Sequence, residues 1–287
     1  MKILNNIPLL QSYLQQQSAK RALVPTMGNL HSGHLSLVEA AKQQADEVVV
    51  SIFVNPLQFG PNEDFGCYPR TFEADCAALS EAGVDAVFAP DTHSLYPQGQ
   101  ERATRVDVPE LGDILCGTIR PGHFVGVTSV VLRLLNLVRP DIALFGKKDY
   151  QQWLILRQMV QDLFLPIDII GLPIIRDNDG LAKSSRNQYL SKQQRDIAPY
   201  LYQVLQKTAQ QLQSEGSNYQ ALEQAASTEL AQQGFVVDYF DIRRAEDLLR
   251  PDKVESPAAL IILVAAKLGN TRLIDNYQGS SSNKVRL

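Results

Sequence analysis

Apolar positions in the first part of the chain alternate between short unbroken runs and helical stripes. The runs are Ala22-Leu23-Val24 leading into Pro25-Thr26, then Val48 to Val54 broken only by Ser51, Val84 to Ala89, Ile142 to Phe145, and Ile167 to Ile170. An unbroken run, unlike a two-residue alternation, fits a strand covered on both faces, as in a parallel sheet. The stretches between read as helices over 6–18, from His34 onward, and over 70–82, 126–138 and 149–162. In the second of these, Leu35, Val38, Ala41 and Ala45 share one face at 3.6-residue spacing. Asn55-Pro56 stops the second strand, and Gly146 ends the fourth. This repetition predicts an α/β fold: a Rossmann-like, doubly wound parallel sheet with right-handed crossovers.

Near 176 the pattern changes. Arg176-Asp177-Asn178-Asp179-Gly180 reads as a turn and Ser184-Ser185-Arg186-Asn187 as polar loop, followed by helices over about 191–215 and 219–233. Strands near 235–243, 258–267 and 271–277 complete a smaller α+β unit. The expected domains are therefore 1–176 and 177–287. No internal repeat is visible, and the serine-rich tail from Gly279 is expected to be disordered.

The polar residues that interrupt this pattern cluster just after predicted strands, where open α/β sheets bind ligands. After the first strand comes Met27-Gly28-Asn29-Leu30-His31-Ser32-Gly33-His34. A helix N-terminus attracts anions through its unpaired amides, and two imidazoles add donors that can follow charge on a phosphate. The plainer alternative is that one histidine caps the helix while the other is solvated. A metal site would ask for HExxH-type spacing or added cysteine and carboxylate ligands, and neither is nearby. After the second strand, Asn55 and Gln58 offer amides that both donate and accept, suited to a hydroxy acid. A turn at Asn55-Pro56 would explain Asn55 but not Gln58. The loop 55–68 is long for a compact domain, and such loops are often functional.

After the fourth strand, Gly146-Lys147-Lys148-Asp149 opens a helix that also carries Gln151 and Gln152. Lys148 could meet a phosphate and Asp149 a ribose hydroxyl, although an Asp there is more often a helix N-cap. Lys183-Ser184-Ser185-Arg186 combines two hydroxyls and two cations in one loop, a phosphate clamp or simply a solvated loop.

Composition narrows the classes. A 45% hydrophobic content in 287 residues supports a real core, and the net charge of −4 gives no field for nucleic acid or an anionic membrane. The longest apolar run, Ala258 to Ala266, is far short of the ~20 residues of a membrane span. No signal-peptide pattern opens the chain. Three cysteines, Cys67, Cys76 and Cys116, without CxxC spacing fit thiols in a reducing cytoplasm.

Together the motifs resemble the class I nucleotidylyl-transferase superfamily and, more closely, the pantoate–β-alanine ligase family. The words Pro-Thr-Met-Gly-x-Leu-His-x-Gly-His, Val-Asn-Pro-x-Gln-Phe-Gly, Tyr68-Pro69-Arg70, His123-Phe124-x-Gly126-Val127, Gly-x-Lys-Asp-Tyr-Gln-Gln and Ser-Ser-Arg-Asn occur in that family's order. Val237-Asp238-Tyr239 and Thr271 to Asn276 extend the likeness over nearly the whole chain. The resemblance implies ATP-dependent condensation of pantoate with β-alanine through a pantoyl adenylate. ATP serves as co-substrate with Mg²⁺, and no tightly bound cofactor or protein metal site is implied.

By the same resemblance, ATP contacts fall on Met27, Gly28, Asn29, Leu30, His31, Ser32, Gly33, His34, Gly146, Lys147, Lys148, Asp149, Ile175, Lys183, Ser184, Ser185 and Arg186. His34, with His31, is catalytic; Gln58 and Gln152 hold pantoate, and Gln58 also reaches β-alanine. The family implies a cytoplasmic homodimer formed through the first domain, with the second acting as a lid. Lys183 stands where the family usually has an apolar residue, and Asn29, Ser32 and Lys147 also depart from its common choices. The alternatives are another adenylate-forming enzyme acting on a different small acid, a class I aminoacyl-tRNA synthetase, and a nucleotide-binding regulator. The missing basic domain counts against the synthetase, and the intact substrate amides count against the regulator.

Overall fold

The computed structural model describes residues 1–16, 19–61, 63–214, 218–252 and 255–279. Contacts divide the chain into two compact units: Met1–Lys147 with Gln151–Ile175, and Lys148–Tyr150 with Arg176–Leu287.

The first unit is built on six parallel strands: β1 (Lys2–Leu4), β2 (Arg21–Thr26), β3 (Glu47–Ile52), β4 (Ala86–Phe88), β5 (Ile142–Gly146) and β6 (Asp168–Leu172). Their order is β1-β4-β3-β2-β5-β6, so the chain reverses its direction of travel between β2 and β5. The helices are α1 (Ile7–Gln15), α2 (Ser32–Lys42), α3 (Phe72–Glu81), α4 (Thr92–Leu95), α5 (Cys116–Ile119), α6 (His123–Val138) and α7 (Tyr150–Asp162). Leu37, Val38 and Ala41 of α2 and Leu79 of α3 pack on Ala22, Val24, Val48 and Val50. The alternating residues Leu23 and Val49 are fully buried as well, so the central strands are covered on both faces. That coverage is why their sequences are unbroken apolar runs.

Several boundaries differ from expectation. β1 is too short to show a period and is absent from the expected strands; it pairs with β4. α6 begins at His123 rather than 126, because Gly122 makes the turn in the left-handed region. The loop after β3 contains single 3-10 turns at Pro56–Gln58 and Asp64–Gly66. The N-terminal helix is expected to reach 18, but 17 and 18 lie outside the described residues.

At the N-terminal end of β2, Arg21 Nε donates to Glu47 Oε2 at 2.5 Å and Nη1 to the Val138 carbonyl at 3.1 Å, all buried. Burial, and a hydrogen bond with Glu47, push the Tyr13 hydroxyl upward.

The second unit carries the antiparallel sheet β7 (Phe235–Arg244), β8 (Leu260–Leu268) and β9 (Thr271–Gln278), in that order. The expected helix over 191–215 is two: α8 (Lys192–Ile197) and α9 (Tyr200–Ser214). Pro199 separates them, since it lacks an N–H and its ring clashes with the preceding turn. α10 (Tyr219–Gln232) follows, and Leu201, Leu205 and Leu230 pack on Phe240, Ile242, Ile262 and Val264. The tail expected to be disordered lies, from 280, outside the described residues.

Removing one partner of a buried ion pair leaves the other charge unsolvated. Glu47→Ala should therefore destabilise the protein by about 3 kcal/mol or more, read as a lower urea midpoint.

Candidate active site

The residues singled out after β2 and after β5 flank the point where the strand order reverses, the standard ligand crevice of such sheets. The chain leaves β2 through two successive left-handed residues, Gly28 (φ 77°) and Asn29 (φ 51°). Glycine adopts this freely and asparagine tolerates it. A Cβ on residue 28 would also lie 3.0 Å from Asp75 Oδ2.

Asp75, buried on α3, holds this turn. Its Oδ2 accepts from the Asn29 amide at 2.9 Å and its Oδ1 from the Leu30 amide at 2.8 Å. Thr71 Oγ1 donates to the same carboxylate at 3.1 Å, and the Gly28 amide donates to Thr26 Oγ1 at 3.2 Å. Sequence reasoning misses Asp75. The available signal is an acid four residues before buried Leu79, on the apolar stripe of a helix.

His31 is the N-cap of α2, and His34 is its third helical residue. The Gly33 amide donates to His31 Nδ1 at 3.1 Å, and the His31 amide donates to His34 Nδ1 at 3.3 Å. The two rings therefore form a reciprocal capping box, with centroids 4.1 Å apart. The plainer alternative, one histidine capping and the other solvated, differs from this arrangement, because both rings take part in the cap. The backbone donors of this turn are largely taken: the Gly33 amide is paired with His31, and the Asn29 and Leu30 amides belong to Asp75. Because both Nδ1 atoms accept, a neutral ring carries its proton on Nε2.

Gln58 belongs to the same unit. Its Oε1 accepts from Asn55 Nδ2 at 3.2 Å, and its Nε2 lies 3.0 Å from Met27 Sδ. Asn55 is itself fixed: Nδ2 donates to the Gly126 carbonyl at 3.1 Å, while Oδ1 accepts from Tyr96 Oη at 2.8 Å. Burial pushes the Tyr96 hydroxyl up to about 12. Of the two adjacent glutamines, Gln151 is buried. It bridges the Cys116 amide and the Leu111 and Ile114 carbonyls, whereas Gln152 stays partly exposed. Lys147 lies with its ammonium 4.7 Å from the Trp153 ring centre, and Arg157 approaches the same ring at 4.9 Å. Burial first, and Arg157 next, lower its basicity. Gly146, at the end of β5, and Ile175, three residues past β6, are both partly exposed.

The remaining predicted contacts fall in the second unit. The Lys148 carbonyl accepts from Asn276 Nδ2 at 3.0 Å, and Asp149 is exposed. Arg176 pairs with buried Asp275 through two bonds, at 2.6 and 2.9 Å. Burial pushes the Asp275 carboxyl up, against the pull of Arg176. Lys183 forms an ion pair with Asp177, which also accepts from Arg195. The Arg186 amide donates to Ser184 Oγ at 3.3 Å, and Asn187 Nδ2 to the Ala182 carbonyl at 3.0 Å. The Ser184–Arg186 loop, with Ser185 opening its 3-10 turn, is thus shaped by its own side chains.

Among the described residues, no three His, Cys, Asp or Glu side chains converge on a common point for a metal, and no helix is long and apolar enough to cross a membrane.

A parallel sheet whose second strand runs into a His-x-Gly-His helix cap is consistent with the class I nucleotidylyl-transferases, enzymes that act at nucleotide phosphates. The family described as pantoate-beta-alanine ligase matches residues 2–278, and the chain belongs to it. The pantothenate synthetase of Idiomarina loihiensis is 52% identical over 278 residues, spanning 97% of this chain and 98% of the relative. Pantothenate synthetase from Thermus thermophilus superposes with a TM-score of 0.90 at 44% identity, over 97% and 99% of the two chains. Pantoate-beta-alanine ligase from Francisella tularensis, solved with beta-gamma ATP and beta-alanine, gives 0.82 at 34% identity, over 97% of each chain. The chain is accordingly an enzyme of pantothenate biosynthesis that ligates pantoate and β-alanine. This decides between that activity and the other adenylate-forming, tRNA-charging and regulatory alternatives.

The Asp75 contacts predict losses of both stability and activity. Asp75→Ala leaves two partly buried amides without acceptors, which should cost about 2 kcal/mol of stability and abolish most ligation activity. Urea denaturation alongside an assay of pantothenate formation checks both.

Proposed function

We propose that the ligation runs through a pantoyl adenylate made at the reciprocal histidine cap. A pantoate carboxylate oxygen attacks the α-phosphorus of ATP, and the bond to the β-phosphate oxygen breaks to release pyrophosphate. The β-alanine amine then attacks the acyl carbon. AMP departs with the bonding pair of the C–O bond, and the amine nitrogen loses a proton to give pantothenate. Little covalent participation by the protein is needed, so positioning and charge stabilisation carry the rate.

In the first unit the proposed ATP contacts are Met27 to His34, Gly146, Lys147 and Ile175. His34 Nε2–H follows the charge that develops on the α-phosphate, and His31 Nε2–H shares it. The observation that carries this reading is the double Nδ1 cap, which fixes both tautomers before any substrate arrives. Preorganised donors of this sort act without reorganisation cost. Gln58 and Gln152 are assigned to pantoate, and Gln58 to β-alanine as well. Within the second unit, the residues proposed to meet nucleotide are Lys148, Asp149, Ser184, Ser185 and Arg186, together with the backbone of Lys183, whose ammonium faces Asp177. Mg²⁺ would be carried by the triphosphate oxygens, its common mode in ATP-dependent enzymes. A homodimer formed through the first unit and a cytoplasmic setting complete the proposal. They follow from the family resemblance and, for the compartment, from an odd number of cysteines.

Replacing His34 tests the role cleanly if the cap is kept. In His34→Asn the amide oxygen stands near the Nδ1 position, but no donor replaces Nε2. Stability should stay within about 1 kcal/mol of the parent while pyrophosphate release falls roughly a hundredfold or more. A rate near the parent's would remove His34 from the chemistry. ATP–pyrophosphate exchange should depend on pantoate; exchange with a different small acid and none with pantoate would refute the adenylate proposed here.

A further inference from the structure

The loop after β3 is tied down at a place that no substrate contact explains. The Gln58 carbonyl accepts from His123 Nδ1 at 2.7 Å and from Arg120 Nη2 at 3.3 Å. Arg120 also grips Glu63 with two bonds, Nε to Oε1 at 2.6 Å and Nη2 to Oε2 at 2.5 Å. Arg120 Nη1 lies 2.9 Å from His123 Nε2. A carbonyl only accepts and a guanidinium only donates. His123 Nδ1 must therefore carry the proton while Nε2 offers its lone pair. Each hydrogen-bonding role in the cluster is fixed by its neighbours.

The geometry fits positioning better than general bracing. Asn55 secures the loop only as far as the Gln58 side chain, through Gly126. Gly126 is required for that approach, since a Cβ there would lie 2.3 Å from the Leu57 carbonyl oxygen. Beyond Gln58 the loop is held at Glu63 and by the packing of Phe59 on Phe65 and Tyr68. The three side chains thus tie Gln58 and Glu63 to the turn that opens α6. Burial would push the Glu63 carboxyl up, but Arg120 outweighs it and holds the group below its usual range.

We propose that Glu63, Arg120 and His123 form a latch that holds Gln58 in register for the pantoate substrate. None of the three is a catalytic residue; they act through the Gln58 backbone. The proposal rests on the assignment of Gln58 to pantoate, so the two must be tested apart.

Steady-state ligation by the full chain does this with four variants: Gln58→Ala, Glu63→Gln, His123→Ala and His123→Asn. Glu63→Gln keeps the size of a partly exposed side chain and so leaves folding intact, which a thermal melt verifies. Glu63→Gln and His123→Ala should each raise the pantoate KM by about tenfold, the effect of one good hydrogen bond, with kcat and the ATP KM within about twofold. His123→Asn, whose amide can still donate from near the Nδ1 position, should recover most of that loss. If Gln58→Ala raises the pantoate KM but the latch variants do not, the latch is wrong and the Gln58 assignment stands. An equal decline in every kinetic parameter, or an Asn variant no better than Ala, likewise overturns the latch in favour of a merely structural role. A Gln58→Ala enzyme with unchanged pantoate KM removes the assignment and the latch with it.

Discussion

The site depends on how the chain is turned at the end of β2. Two left-handed residues in succession swing the backbone away from the sheet, and they expose amides that have no strand partner. The Asp75 carboxylate answers this by accepting from two consecutive amides within a buried setting. Charge-assisted bonds of that kind are roughly twice as strong as neutral ones, which suits amides that have no strand partner. The helix that follows, its histidine cap and the approach of Met27 to Gln58 all inherit their positions from this turn.

A second principle runs through the first unit: imidazoles are fixed by what faces their Nδ1. At His31 and His34 an amide donates to Nδ1, leaving the proton on Nε2. At His123 a carbonyl faces Nδ1 and a guanidinium faces Nε2, so the proton sits on Nδ1 instead. The same side chain thus accepts at Nδ1 in one place and donates from it in another. No charge on the ring is needed in either. This economy suits an enzyme whose substrates bring the negative charge themselves, because fixed dipoles can meet a triphosphate without a permanent cation at each contact.

Much of the architecture is legible in residue patterns, and the failures have physical causes. The unbroken apolar runs locate β2 to β5, since burial on both faces leaves no room for alternation, and a shorter run marks β6, whose residues are only partly buried or exposed. β1 escapes because three residues carry no measurable period, and its pairing with β4 is decided by a distant strand. A single helix over 191–215 suggests itself because apolar spacing continues across Pro199, although proline chemistry argues for the break. His31, His34 and Gln58 stand out as polar residues in odd places at strand ends. Asp75, Glu63 and Arg120 do not, because an acid on a helix or a charged pair in a loop looks like ordinary solvated surface until its partner is known.

The sequence by itself determined the α/β class, the change of character near 176 and the family, because all three rest on local spacing and on motif words that survive without coordinates. Which polar groups are already paired was decided only in three dimensions. An amide's availability depends on whether Asp75, 46 and 45 positions away, has already claimed it. A histidine's tautomer depends on which atom faces each nitrogen, and no residue pattern states that. The Pro25–Leu35 stretch therefore carries the family's motif in its letters, but the hydrogen-bonding roles of its groups are set by the fold around it.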